Sequence, residues 1–173
     1  MRTLVLGGAR SGKSAHAEGL LDPDEPVRYV ATARTPADDD DWAQRVAAHR
    51  DRRPGHWETV EDADLVALVR APTVGASLLV DDLGTWLTAE IDDAGAWELP
   101  RGTITPRCQQ LVEAVAAYTG TLVLVTPEVG LGVVPATRSG RLFRDEIGIL
   151  NARLAQVCDV VVLLVAGIPL RLR

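Results

Sequence analysis

Gly7, Gly8, Ala9, Arg10, Ser11, Gly12, Lys13 and Ser14 directly follow the apolar run RTLVL at residues 2–6, where a strand would end and a helix begin. No other feature constrains the chain as strongly, because G-x-x-x-x-G-K-S in that context defines a phosphate-binding loop, the P-loop. Glycine at 7, 8 and 12 lets successive backbone N–H groups curl around phosphate oxygens at a helix N-terminus. Lys13 brings a compact positive charge to the phosphates, and Ser14 a hydroxyl ligand for Mg²⁺. Of the 18 basic residues only Lys13 is lysine. The planar guanidinium of arginine does not replace an ammonium at such a site.

The remaining apolar runs fit a sheet built around that loop. VRYVAT (27–32), SLLVDD (77–82), TLVLVT (121–126) and DVVVLLVAG (159–167) are near-continuous and β-branched, as strands buried on both faces of a largely parallel sheet are. Helical patterns alternate with them. Phe143, Ile147, Leu150, Leu154 and Val157 make one apolar stripe, and Cys108, Leu111, Val112 and Val115 another. The expected class is therefore α/β, a P-loop nucleotide-binding fold with helices flanking a parallel sheet. Gly and Pro break the pattern at residues 92–106, which reads as a surface insertion.

A chain of 173 residues is expected to form a single domain, 1–173, with an ordinary core. A formal net charge of −6 gives no general reason to expect nucleic acid as partner. No run approaches the roughly 18 to 20 apolar residues that span a bilayer, and the N-terminus enters the phosphate loop, not a cleavage site. Stable membrane insertion is not expected, and a cytoplasmic location is. Cys108 and Cys158 lack metal-ligand or C-x-x-C spacing and read as small buried residues. The acidic run Asp38–Asp41 reads as a solvated loop before a helix N-terminus.

The segment WAQRVAAHRDRRPGHWETVE, residues 42–61, holds a second constellation. A helix from Trp42 puts His49 between an apolar and a cationic face, and Pro54 ends it at Arg53. Arg50, Arg52 and Arg53 disfavour an imidazolium and attract phosphate oxygens, so His49 is a candidate nucleophile toward phosphorus. Residue types alone leave a second reading open, a surface histidine at a helix end beside solvated arginines. Asp81 ends its strand where P-loop proteins carry the acid that holds Mg²⁺ through water, and Glu128 follows another strand as a further polar contact.

Together these stretches resemble the bifunctional adenosylcobinamide kinase and adenosylcobinamide-phosphate guanylyltransferase family of cobalamin biosynthesis. The resemblance runs through GGARSGKS, RYVATA, HRDRRPGHWETVE, LLVDDLGTWLT, EVGLGVVP, RLFRDEIGILNARLA and VAGIP. It implies two reactions. ATP or GTP phosphorylates the aminopropanol hydroxyl of adenosylcobinamide. GTP then guanylylates a histidine, and that GMP passes to adenosylcobinamide phosphate to give adenosylcobinamide-GDP. The histidine matches His49, with His56 and His16 as competitors. Thr32, Ala33, Arg50, Asp51, Arg52, Arg53, Glu61 and Asp81 match segments used around the guanine nucleotide, Glu61 toward guanine or ribose. A homo-oligomer, a trimer, is also implied.

The sequence departs from the family pattern at two positions. Pro127 stands where asparagine is frequent, and proline has no N–H to donate. Asp82 stands where cysteine is common, leaving open which of Asp81 and Asp82 serves a metal. Competing readings are a P-loop kinase of another small metabolite and a nucleotide-dependent switch. The switch is weakened by the absence of an N-K-x-D motif, since the one lysine is in the phosphate loop.

Overall fold

The computed structural model describes residues 1–34, 53–71 and 75–173. One sheet of seven strands organises them: β1 (Arg2–Gly7), β2 (Val27–Ala31), β3 (Glu58–Glu61), β4 (Ser77–Asp81), β5 (Leu122–Pro127), β6 (Val160–Val165) and β7 (Ile168–Arg171), in the order β3-β2-β4-β5-β1-β6-β7. All neighbours are parallel except β6 and β7, which form a hairpin. The five anticipated runs are β1, β2, β4, β5 and β6. The polar strand β3 and the proline-containing β7 lie at the two edges, where a missing backbone donor or an apolar deficit is tolerated.

Pleating divides the core in two. Leu4, Leu78, Val80 and Leu124 face one side, covered by α2 (Leu65–Arg70), α3 (Leu83–Asp93), α4 (Thr105–Ala117) and α5 (Arg138–Val157). Val5, Tyr29, Leu79 and Val123 face the other, packing with Ala17 of α1 (Lys13–Glu18) and with Trp57. The stripes read from the sequence face the core: Ile147, Leu150, Leu154, Leu111 and Val115 are fully enclosed, Cys108 and Val112 are buried, and Phe143 and Val157, at the ends of theirs, are partly buried against it. Cys108 and Cys158 are buried free thiols, and burial pushes them up to about 12 and about 11.

Residues 92–106 are mostly exposed, as a surface insertion is, and are anchored to the core through Ala96 and Ile104. Ala96, in a 3₁₀ turn over Ala96–Glu98, and Ile104 join the core, and Gly102 N–H donates to buried Glu146 at 2.8 Å. The Arg138 guanidinium donates to the carbonyls of Trp97, Glu98 and Leu99. Among the described residues no helix is long and apolar enough to cross a membrane.

Candidate nucleotide site

Every parallel strand ends at the same edge, and ligands of open α/β sheets bind at that carboxyl edge. Gly7 ends β1, Ala31 ends β2, Glu61 ends β3 and Asp81 ends β4. Ala31 is in register with both Glu61 and Asp81, so three of the strands deliver residues side by side. Thr32 and Ala33 follow immediately.

Two glycines of the phosphate loop are required by the structure. A Cβ on Gly7 would stand 2.3 Å from Ser11 Oγ, and Gly12, which caps α1, has φ +87. Gly8 has open space around it. Arg10 adopts φ 56 within the turn. Two other strand ends brace the loop: Glu128 N–H donates to Gly7 O at 3.1 Å, and Gly167 N–H donates to Ser11 O at 3.0 Å. Gly167 and Ala166 form the two-residue β6–β7 turn, both with positive φ, the geometry that hairpin twist demands.

Beyond the loop, Ser14 Oγ donates to Asp81 Oδ1 at 3.2 Å. The other oxygen, Oδ2, accepts from the Tyr29 hydroxyl at 2.5 Å. Burial first, then the charge and hydrogen bond of Asp81, raise the Tyr29 phenol far above its ordinary range, so it remains a donor. The Arg53 guanidinium lies over the Tyr29 ring, 3.7 Å from its centroid, and donates to Thr59 Oγ1 at 3.3 Å.

The two adjacent aspartates have different surroundings. Asp82 caps α3, its Oδ1 accepting from Thr85 N–H at 2.9 Å. Burial raises its carboxyl above the usual range, with the Thr85 hydrogen bond opposing and the Asp81 charge reinforcing. Asp81 faces Ser14, and these two hard oxygen donors suit Mg²⁺, a cation that keeps several waters and arrives with substrate phosphates. Among the described residues no group of three or more His, Cys, Asp or Glu is arranged to hold a metal unaided.

The Thr32 hydroxyl ties β2 to α3, donating to Asp82 O at 2.5 Å and lying 2.6 Å from Thr85 Oγ1. Glu61 is exposed at the end of β3. His56 is exposed just before β3, and His16 is half-buried in the last turn of α1. His49, Arg50, Asp51 and Arg52, the helix expected from Trp42 and the acidic run Asp38–Asp41 lie outside the described residues.

A pocket of about 320 Å³ adjoins Thr32 and is lined in part by Arg34, Asp64, Trp86, Glu90 and Arg107. Its cations are paired: Arg34 makes two 2.6 Å bonds to Asp93, and Arg107 reaches Glu90 and Asp64 at 3.0 and 2.7 Å. Tyr29, Arg34 and Arg107 were not singled out by the sequence. The available signal for Tyr29 was a phenol between Arg28 and Val30 in a largely buried strand.

Pro127 has a structural place. Its carbonyl accepts from Asn151 Nδ2 at 3.0 Å, while Thr126 Oγ1 donates to Asn151 Oδ1 at 2.6 Å. A Cβ on Gly84 would sit 2.7 Å from the stiff Pro127 ring. Gly84→Ala is therefore expected to wedge α3 from β5 and lower stability by about 1–3 kcal/mol, a typical overpacking penalty. Urea denaturation measures it, with Gly84→Ala/Pro127→Ala recovering most of the loss.

The sheet order, the glycine loop after the interior strand β1 and the Ser14–Asp81 pair define an α/β P-loop nucleotide-binding protein. Solved structures agree at the level of fold. A prototypical ATPase from the type III secretion system of pathogenic bacteria aligns with TM-score 0.54 and 14% identity, covering 95% of this chain and 51% of that one. The P4 protein from bacteriophage phi6, in complex with ADP, aligns with TM-score 0.51 and 17% identity, covering 97% of this chain and 52% of that one. The chain thus spans about half the length of each.

Sequence relatives are more specific. The chain is 41% identical over 178 residues to the bifunctional adenosylcobalamin biosynthesis protein CobP of Pseudomonas aeruginosa, covering 100% of this chain and 98% of that protein. It is 38% identical over 186 residues to the bifunctional adenosylcobalamin biosynthesis protein CobU of Escherichia coli, with 100% of both covered. The family model for cobinamide kinase / cobinamide phosphate guanyltransferase matches residues 3–172. The chain belongs to that family and is an enzyme of the transferase class.

Proposed function

We propose that this chain carries out two transfers. In the first, the aminopropanol hydroxyl oxygen of adenosylcobinamide attacks the γ-phosphorus of ATP or GTP; the bond to the β-phosphate oxygen breaks, the nucleoside diphosphate leaves and the hydroxyl loses its proton. In the second, a His49 ring nitrogen attacks the α-phosphorus of GTP and pyrophosphate leaves. An oxygen of adenosylcobinamide phosphate then attacks that phosphorus, the P–N bond breaks with its electron pair returning to the imidazole, and adenosylcobinamide-GDP forms.

The observation that supports the reading is the contact chain Ser14–Asp81–Tyr29–Arg53, which joins the phosphate-loop helix to Arg53, the described end of the arginine run, in a chain of this family. Gly7 to Ser14 cradle the β- and γ-phosphates and Lys13 offsets their developing charge, so catalysis here is mainly positioning and electrostatics. Ser14 and Asp81 hold Mg²⁺, whose charge, when it is bound, neutralises the phosphate oxygens. Thr32, Ala33 and Glu61 contribute to the guanine-nucleotide site, Glu61 toward guanine or ribose, and the run Arg50, Asp51, Arg52 and Arg53 supplies the arginines that offset the charge of the GMP adduct.

The covalent route has a physical rationale. A phosphate dianion attacking GTP directly would bring two anions together, whereas a neutral imidazole meets less repulsion. The test supplies adenosylcobinamide, Mg²⁺ and two labels, one on the γ-phosphorus of ATP and one on the α-phosphorus of GTP. Both labels are expected in the corrinoid product, the α-label after passing through the protein. A product carrying only the γ-label would leave a kinase without the second transfer, and no labelled corrinoid would mean another acceptor.

A further inference from the structure

We infer that Tyr29 is a positioning residue that links Arg53 to the metal end of the nucleotide site, holding the Asp81 carboxylate with its hydroxyl and the Arg53 guanidinium with its ring. The inference rests on Ser14 and Asp81 serving Mg²⁺, as proposed above. Its own observations are independent of that reading.

Strand geometry sets up the arrangement. Tyr29 and Leu79 are in register, as are Ala31 and Asp81, so Tyr29 and Asp81 are diagonal neighbours on one face of a parallel pair. That face is the one covered by α1, which carries Ser14 at its start. The tyrosine body is buried at 3% exposure among Val5, Val27 and Leu79, which fixes the ring. From that anchored ring the hydroxyl reaches Asp81 Oδ2 at 2.5 Å, and Oδ1 is left directed at Ser14 Oγ, 3.2 Å away. A carboxylate whose two oxygens are divided in this way cannot rotate without losing one partner. This is how outer residues orient a ligand for a metal.

The opposite side of the same side chain contacts Arg53, whose charge centre sits 3.7 Å from the ring centroid. Arg53 ends the run Arg50–Arg53 in sequence and is itself tied to Thr59 of β3. Moving the ring therefore disturbs Arg53 and Asp81 together, although 28 residues of sequence separate the last two (81 − 53). The two contacts are chemically separable. Phenylalanine keeps the ring and loses the hydroxyl, while leucine loses both.

The experiment measures binding of a fluorescent, non-hydrolysable GTP analogue with and without Mg²⁺, so that no turnover enters. In the wild type Mg²⁺ is expected to tighten binding, and Asp81→Asn to remove that gain. Tyr29→Phe is expected to weaken the Mg²⁺-dependent part roughly tenfold, the lower end of what loss of an orienting partner does to metal affinity, with metal-free binding and the melting temperature near wild type. Tyr29→Leu and Arg53→Ala are each expected to weaken metal-free binding, and the double variant to lose no more than the worse single one.

Loss of the Mg²⁺ gain in Asp81→Asn but not in Tyr29→Phe would overturn the positioning role and leave the metal reading standing. A Mg²⁺ gain that survives Asp81→Asn would overturn the metal reading and this inference with it. Additive losses in Tyr29→Leu and Arg53→Ala would overturn the link between the two ends.

Discussion

Alanine in place of Lys13 is expected to lower kcat/KM for γ-phosphoryl transfer by about a thousandfold, equivalent to about 4 kcal/mol of transition-state stabilisation. The reason is the lack of any substitute. Lys13 opens α1 behind Gly12, in the loop braced by Glu128 and Gly167, and no other lysine exists in the chain. Charge spreading over the transferred phosphoryl oxygens would then lose its one ammonium partner and rely on backbone dipoles and the Mg²⁺ that Ser14 and Asp81 would hold. Lys13→Arg is expected to restore little, because a planar fork neither fits nor points as an ammonium does. Stability should stay within about 0.5 kcal/mol, since Lys13 is half-exposed and supports no core contact. One side effect is specific: Lys13 draws down the carboxyl of Asp82, so its removal pushes that buried acid further up. Transfer of γ-label, together with a melting curve, separates chemistry from folding. A loss below tenfold would show that Lys13 does not act on the transferred phosphoryl group.

How much of this was legible beforehand follows from physical locality. β1, β2, β4, β5 and β6 are largely buried on both faces, so each is a near-continuous apolar run that needs no partner to be recognised. β3, the sequence ETVE, has three exposed residues and becomes a strand only by adding to the edge of β2. β7 contains Pro169, an argument against a strand that fails at an edge, where its partner is a hairpin neighbour. That Asp81 ends a strand could be read from SLLVD alone. That its carboxylate stands between Ser14 and Tyr29 depends on the Ala31–Asp81 register, a non-local property. The same holds for Asp82, indistinguishable from Asp81 in sequence until α3 is seen to begin just after it.

His49→Ala is expected to abolish all protein-bound label from GTP labelled at the α-phosphorus, while γ-phosphoryl transfer stays within a fewfold of wild type. The two outcomes divide because the reactions break different bonds. Guanylylation forms a P–N bond at the α-phosphorus and expels pyrophosphate, and no oxygen nucleophile of this chain gives a product with the same lability. A phosphoramidate survives alkali and is lost in acid, so the wild-type label should show that pattern. His56→Ala and His16→Ala serve as controls of equal chemistry. His56 is exposed before β3 and His16 lies in the last turn of α1, so both are available for modification yet are expected to leave labelling intact. Label lost in His56→Ala and retained in His49→Ala would move the nucleophile seven residues along (56 − 49) and with it the role of the Arg50–Arg53 run. An alkali-labile adduct would replace histidine with a carboxylate or hydroxyl. The arginines give a further check: Arg53→Ala, which removes the guanidinium over the Tyr29 ring, should slow adduct formation without removing it, because Arg53 stabilises the transferred charge and forms no bond to phosphorus.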